Sequence, residues 1–63
     1  MNMYDAVMNV ENGDCDEETY IASMQNLINT GIVWRLQGFF GRRAVEMIQD
    51  GTCTAPDWVD INE

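Results

Sequence analysis

Apolar residues recur at helical spacing through the middle of the chain. Between Asp16 and Gly31 they follow the i, i+3, i+4, i+7 pattern that buries one face of an α-helix. Asp14 or Asp16 is placed to cap the start of this helix, and Thr30-Gly31 supplies a stop. The predicted buried face consists of Tyr20, Ile21, Met24, Leu27 and Ile28.

A shorter helix is predicted before this one. It covers residues 3–10 and is ended by Asn12-Gly13, a pair suited to left-handed backbone geometry. Its apolar face is predicted to comprise Tyr4, Val7 and Met8.

The C-terminal half predicts two further helical segments. Residues 32–37 carry strand-favouring side chains but have no obvious strand partner, so we interpret them as a short helix ending at Gly38. A fourth helix is predicted over residues 39–49, followed by Gly51. Its inward positions are Phe40, Ala44, Met47 and Ile48. The predicted fold class is all-α, a small bundle of three to four short helices.

The chain is short enough to limit its organisation. Its 63 residues hold at most one small core, so residues 1–63 are predicted to form a single helical mini-domain. Residues 54–63 are expected to form a partly ordered tail, with Trp58, Val59 and Ile61 able to fold back over the core. The two cysteines, Cys15 and Cys53, are expected to remain reduced because no secretion signal precedes them.

Charge is distributed unevenly along the chain. The formal net charge is −8, yet every basic residue lies within residues 34–43, together with Trp34 and both phenylalanines. We call residues 34–43 the Arg/aromatic segment. Residues 31–47 carry a formal charge of +2, whereas both flanks are acidic. The basic residues are Arg35, Arg42 and Arg43.

Composition argues against catalysis and against metal binding. The chain has no His and no Lys, and no nucleophile has an evident base nearby, so we expect neither an enzyme nor a cofactor. Two distant cysteines lack the short spacing of zinc ligands, and the acidic residues around Gly13 do not fit the EF-hand template. No metal site is therefore expected. No apolar run approaches the ~20 residues of a membrane span, which predicts a soluble protein.

One block of residues resembles a known family. Trp34, Leu36-Gln37-Gly38, Phe40-Gly41-Arg42 and Ala44 match the pattern Trp-x-Leu-Gln-Gly-x-Tyr-Gly-Arg-x-Ala of very small acidic tailed-bacteriophage proteins, a family with no established function. Phe40 replaces the usual Tyr. Weaker similarity extends over residues 4–53. Further matching residues are Asp5-Ala6, Glu11-Asn12-Gly13, Asp16-Glu17-Glu18, Gln25, Leu27, Ile28, Thr30-Gly31, Ile48 and Gly51, while Met24, Phe39 and Arg43 depart from the usual residues. The resemblance implies a phage origin and no particular activity.

Each residue of the Arg/aromatic segment has a structural and a functional interpretation. Trp34 and Phe40 are interpreted as core residues, whereas Phe39 points about 100° away from Phe40 around a helix and is a candidate contact. Gly38 is expected to stop a helix and Gly41 to permit tight packing. We expect at least one of Arg42 and Arg43 to pair internally, for example Arg42 with Glu46 four residues later. The candidate partner-binding residues are Trp34, Arg35, Gln37, Phe39, Arg42 and Arg43.

Three functional hypotheses remain at the level of sequence. The leading one is a phage accessory protein in the host bacterial cytoplasm that binds a host or phage protein through the Arg/aromatic segment, modulating a host protein. The second is an acidic DNA mimic that occupies the groove of a nucleic-acid enzyme, and the third is a self-associating module, such as a homodimer. Direct nucleic-acid binding is disfavoured by the net charge of −8.

Overall fold

The second helix of the fold is bounded by two local signals. The computed structural model describes residues 1–36 and 38–56. In it α2 spans Glu17–Thr30, beginning where the Asp16 side chain accepts a hydrogen bond from the Thr19 N–H at 2.8 Å. It ends at Gly31, which has a positive φ of 82° and donates its N–H to the carbonyls of Leu27 and Ile28. Of the two predicted caps, the structure therefore selects Asp16.

Helix α1 spans Met3–Asn12 and packs against α2. The Asn2 side chain caps it, and Gly13 ends it with a φ of 64°. The predicted apolar face is wrong in part. Ala6 and Val10 are its buried residues, whereas Tyr4 is 71% exposed. The small Ala6 is fully buried, while Tyr4, in the first turn of α1, faces solvent.

The segment after α2 is shorter and tighter than predicted. Ile32–Arg35 forms a 3₁₀ helix, and Leu36 is already extended. Helix α3 then spans Gly38–Gln49, so Gly38 begins a helix where the sequence predicted a stop. Gly51 follows with a φ of 88° and donates its N–H to the Ile48 carbonyl.

The core lies where α1, α2, the 3₁₀ helix and α3 meet. Met24, Leu27 and Ile28 of α2 are fully buried, as their spacing predicted. From the C-terminal half the core receives Val33, Phe40, Ala44, Met47 and Cys53. The predicted all-α class is confirmed, since the described residues form three α-helices and one 3₁₀ helix with no strand among them.

Both cysteines are free thiols, as the sequence predicted. Cys53 is 2% exposed and donates its N–H to the Met47 carbonyl at 2.9 Å. Burial, followed by the nearby charge of Asp50, raises the pKa of the Cys53 thiol. The protonated, buried form behaves as a small apolar core side chain.

The chain beyond α3 is attached to α2 by a side chain. The Gln25 amide donates to the Thr54 carbonyl at 2.8 Å and accepts from the Thr54 N–H at 2.9 Å. The predicted return of Trp58, Val59 and Ile61 over the core lies outside the described residues.

Candidate functional site

Trp34 lies at the junction between the 3₁₀ helix and α3. Its backbone N–H donates to the Gly31 carbonyl at 3.3 Å, which ties the tryptophan to the end of α2. The indole is half-buried against the core. Within the described part of the chain, its Nε1–H is shielded from solvent and has no acceptor. A buried donor without an acceptor is uncommon in folded proteins and calls for a physical explanation.

An open groove runs along α3 beside this indole. It encloses about 500 Å³ and has a mostly apolar lining. The lining residues are Trp34, Gly41, Arg42, Val45 and Glu46. Helical spacing explains the arrangement, because Gly41 and Val45 lie four residues apart on one face, and Arg42 and Glu46 lie along its edge.

Gly41 leaves this groove open without being needed for internal packing. A Cβ added there would lie 3.8 Å from Cε3 of Trp34, which is an ordinary van der Waals separation. The prediction that Gly41 permits tight packing is therefore wrong. A glycine inside a helix destabilises it by roughly 0.5–1 kcal/mol relative to alanine, so the fold alone does not account for this residue.

Arg43 is bonded to other side chains of the same chain. Its Nε donates to the Tyr20 hydroxyl at 3.3 Å, and its Nη1 lies 3.1 Å from Oε1 of Glu46. The guanidinium carbon is 5.7 Å from the centre of the Tyr20 ring. The hydrogen bond with Tyr20, then that with Glu46, raises the pKa of Arg43. Internal pairing of one arginine is thus confirmed, but Glu46 pairs with Arg43 rather than with Arg42.

Arg42 remains at the surface beside the groove. It is exposed, and within residues 1–36 and 38–56 it forms no ion pair. A Cβ on Gly38 would lie 3.0 Å from its Nη1, so the guanidinium reaches back toward the first turn of α3. That turn contains no acidic residue. The positive charge near the positive end of the helix dipole is therefore uncompensated there.

One of the two phenylalanines is buried and the other is exposed, as predicted. Phe40 is 2% exposed and belongs to the core, whereas Phe39 is 46% exposed. Their rings meet edge to face with centres 5.3 Å apart. The buried ring thereby supports the exposed one from beneath.

The structure brings together only part of the predicted contact set. Trp34 and Arg42 line the groove, Arg35 and Phe39 are exposed, and Arg43 is occupied by Tyr20 and Glu46. Gln37 lies outside the described residues. Sequence reasoning missed Val45 and Glu46 as lining residues. The signal for them was their four-residue spacing from Gly41 and Arg42.

Other chemistry has little support in the described residues. No group of three or more potential metal ligands lies together within residues 1–36 and 38–56. The longest helix in the same part of the chain has 14 residues, and none has the length and apolar character to cross a membrane. The six acidic residues of the first 18 positions are all exposed. They are Asp5, Glu11, Asp14, Asp16, Glu17 and Glu18.

A family model described as a domain of unknown function (DUF7417) matches residues 1–61 of the chain. No curated protein and no solved structure matches it.

Proposed function

We propose that this chain, which belongs to the DUF7417 family of domains of unknown function, acts by binding another protein through the groove on α3. The observation that carries the proposal is an open, mostly apolar groove of about 500 Å³, with an arginine at its edge that forms no ion pair within residues 1–36 and 38–56. The proposal adds the exposed residues of the Arg/aromatic segment to this contact. Its contact residues would be Trp34, Arg35, Phe39 and Arg42.

The chemistry of this surface is that of protein interfaces. Tryptophan, other aromatics and arginine contribute most to binding energy at interfaces, whereas lysine and acidic residues are depleted there. The groove combines an indole, a valine and the exposed guanidinium of Arg42 along α3. Phe39, 46% exposed, lies outside the groove lining and is a separate exposed ring in the first turn of that helix.

The proposed role is that of a small phage accessory protein in the host bacterial cytoplasm. The phage assignment rests on the resemblance of the Arg/aromatic segment to small phage proteins. Such a protein would modulate a host protein by occupying one of its surfaces, with no catalytic step of its own and no cofactor. A phage-encoded protein is the other candidate target.

A second candidate function is DNA mimicry, which the exposed carboxylates favour. All six acidic residues of the first 18 positions face solvent, in a chain of net charge −8. Carboxylates held in this way would compete with DNA phosphates for a basic surface. In that case the groove would take no part in binding.

Affinity capture from bacterial lysate separates the two functions. The wild-type chain is compared with an Arg35→Glu/Arg42→Glu variant and with an Asp14→Asn/Glu17→Gln/Glu18→Gln variant. The first variant leaves Arg43 on Tyr20, and the second leaves the Asp16 cap intact, so both are expected to remain helical by circular dichroism.

The proposal predicts a bound protein that is lost with the arginine variant and retained by the acidic variant. Capture of a nucleic-acid enzyme that the arginine variant retains and the acidic variant loses would instead support DNA mimicry and contradict binding through the groove. Melting temperatures that rise with protein concentration, with no captured protein, would instead indicate self-association.

A further inference from the structure

We infer that the groove on α3 receives an apolar side chain from a partner segment that carries a carboxylate next to it. The inference rests on the proposed function and names the chemistry of the partner at the same site. Four groups carry it: the open floor at Gly41, the walls at Trp34 and Val45, and the guanidinium of Arg42, which has no acidic partner in the part of the chain that the structure describes.

The first step concerns the floor of the groove. Gly41 destabilises α3 relative to alanine, yet a methyl group there would lie at an unstrained 3.8 Å from the Trp34 ring. The methyl would occupy space that is now part of the groove. The glycine therefore keeps open a volume bounded by an indole and a valine, and an apolar side chain fills such a space with a gain in free energy.

The second step concerns charge. Glu46, on the same edge of the groove, is neutralised by Arg43 at 3.1 Å. Arg42 has no such acid within the described residues, and the first turn of α3 supplies none. A carboxylate brought to this edge would form the missing pair and would meet the positive end of the helix dipole as well.

The third step excludes an extended polyanion. The arginines are few, and the chain as a whole carries −8. Beyond about 8–10 Å, interactions between exposed charges are largely screened at physiological salt, so a single carboxylate at Arg42 experiences mainly the local positive charge. A nucleic-acid strand, with one negative charge per phosphate, would also be disfavoured by the net charge of −8. The complementary partner is thus a protein segment with one or two acids beside an apolar anchor.

The experiment uses the full ¹⁵N-labelled chain and three capped amphipathic peptides of about 12 residues. Each peptide carries leucines at helical spacing, flanked by Glu in the first, Gln in the second and Lys in the third. Binding is followed by NMR, through the chemical shifts of the backbone amide of residue 41 and of the Trp34 indole N–H. Three variants accompany the wild type: Gly41→Ala, Arg42→Gln and Asn12→Asp. The last changes the net charge by the same amount as Arg42→Gln, at an exposed position on α1.

We expect the Glu peptide to shift both groove signals and the Gln peptide to bind about twofold to fivefold more weakly, which is the size of an ion pair at an exposed arginine. The Lys peptide should leave the groove signals unchanged. Gly41→Ala should weaken binding of the Glu peptide without a lower unfolding midpoint, and Arg42→Gln should weaken it about twofold to fivefold. Asn12→Asp should bind as the wild type does.

Equal binding of the Glu and Gln peptides would overturn the inference, as would unchanged binding by Gly41→Ala or the absence of any groove shift. If the Arg35→Glu/Arg42→Glu variant still loses the protein captured from lysate in that event, protein binding through the arginines stands and only the acidic partner is wrong. If that variant retains the captured protein, both proposals fall. Concentration-dependent shifts of the same signals without peptide would show a second copy as the occupant and overturn the inference as well.

Discussion

The side-chain amide of Gln25 pairs with both backbone polar groups of Thr54, 29 residues later in the chain. Its Nε2 donates to the Thr54 carbonyl at 2.8 Å, and its Oε1 accepts from the Thr54 N–H at 2.9 Å. The amide thus imitates a peptide group of a neighbouring strand. It holds the segment after α3 against α2 and keeps Cys53 in the core.

Replacing Gln25 with Glu should destabilise the fold. The carboxylate keeps the acceptor for the Thr54 N–H but leaves the Thr54 carbonyl without a donor, at a cost of about 1 kcal/mol. Urea unfolding followed by circular dichroism measures the loss. Ala22→Glu, which adds the same charge at an exposed position in the interior of α2, is the matched control. Equal midpoints for the two variants would show that the amide pair contributes nothing.

Gly41→Ala should raise the free energy of unfolding. The added methyl has room beside Trp34, and alanine is favoured over glycine in a helix by about 0.5–1 kcal/mol. Thermal and urea unfolding of the variant measure the gain. Gly31→Ala provides the contrast, because its φ of 82° would cost an L-residue roughly 1–2 kcal/mol. A less stable Gly41→Ala variant would show that the glycine serves packing after all.

The contact between Tyr20 and Arg43 should appear as an energetic coupling between α2 and α3. A double-mutant cycle with Tyr20→Phe and Arg43→Gln is expected to give about 0.5 kcal/mol, since the arginine side chain is 41% exposed and solvent weakens the interaction. A second cycle with Tyr20→Phe and Arg42→Gln serves as control and should give no coupling, because Arg42 forms no described bond to Tyr20. Equal coupling in both cycles would contradict the assignment.

The free energy of unfolding should fall on acidification because two carboxylates accept local hydrogen bonds. Asp16 accepts at the start of α2, and Asp50 accepts from Thr52 in the turn after α3. Hydrogen bonds from Thr19 lower the pKa of Asp16 below 3.8, and those from Thr52 lower the pKa of Asp50 likewise. The unfolded chain therefore binds more protons in this range, and the stabilisation present above about pH 4 is lost as the pH falls through the lowered native values.

Melting temperatures between about pH 7 and about pH 2.5 measure this loss. An Asp16→Asn/Asp50→Asn variant keeps side-chain acceptors at both positions but cannot titrate there. Its melting temperature is expected to fall less steeply below pH 4 than that of the wild type. If the melting temperatures of the two proteins fall in parallel with pH, these two carboxylates do not cause the loss of stability.

The end of α2 was predictable from the sequence, and its start was narrowed to a cap at Asp14 or Asp16, because the interactions that set both boundaries are local. The Asp16 side chain accepts a hydrogen bond from the N–H of Thr19, three positions ahead. The Gly31 N–H donates to carbonyls three and four positions behind it. The buried face of α2 follows from the helical period in the same way. The core positions Phe40, Ala44 and Met47 of α3 were found by this rule as well.

The candidate site was only partly predictable. Trp34 and Arg42 were identified by their residue types, yet the groove between them depends on how the 3₁₀ helix packs against α3. Arg42 and Arg43 carry the same charge, and the positions of Tyr20 on α2 and of Glu46 on α3 decide that Arg43 is the one paired within the described residues.

The sequence by itself therefore determined the all-α class, the end of α2 and its core residues Met24, Leu27 and Ile28, since caps and helical spacing act within about one turn. Tertiary structure decided which face of α1 is buried, where Thr54 is held, and that Gly41 opens onto a groove. These features arise where elements separated in the chain meet. Their geometry follows from packing and from which polar groups find partners, and neither is encoded in a local pattern.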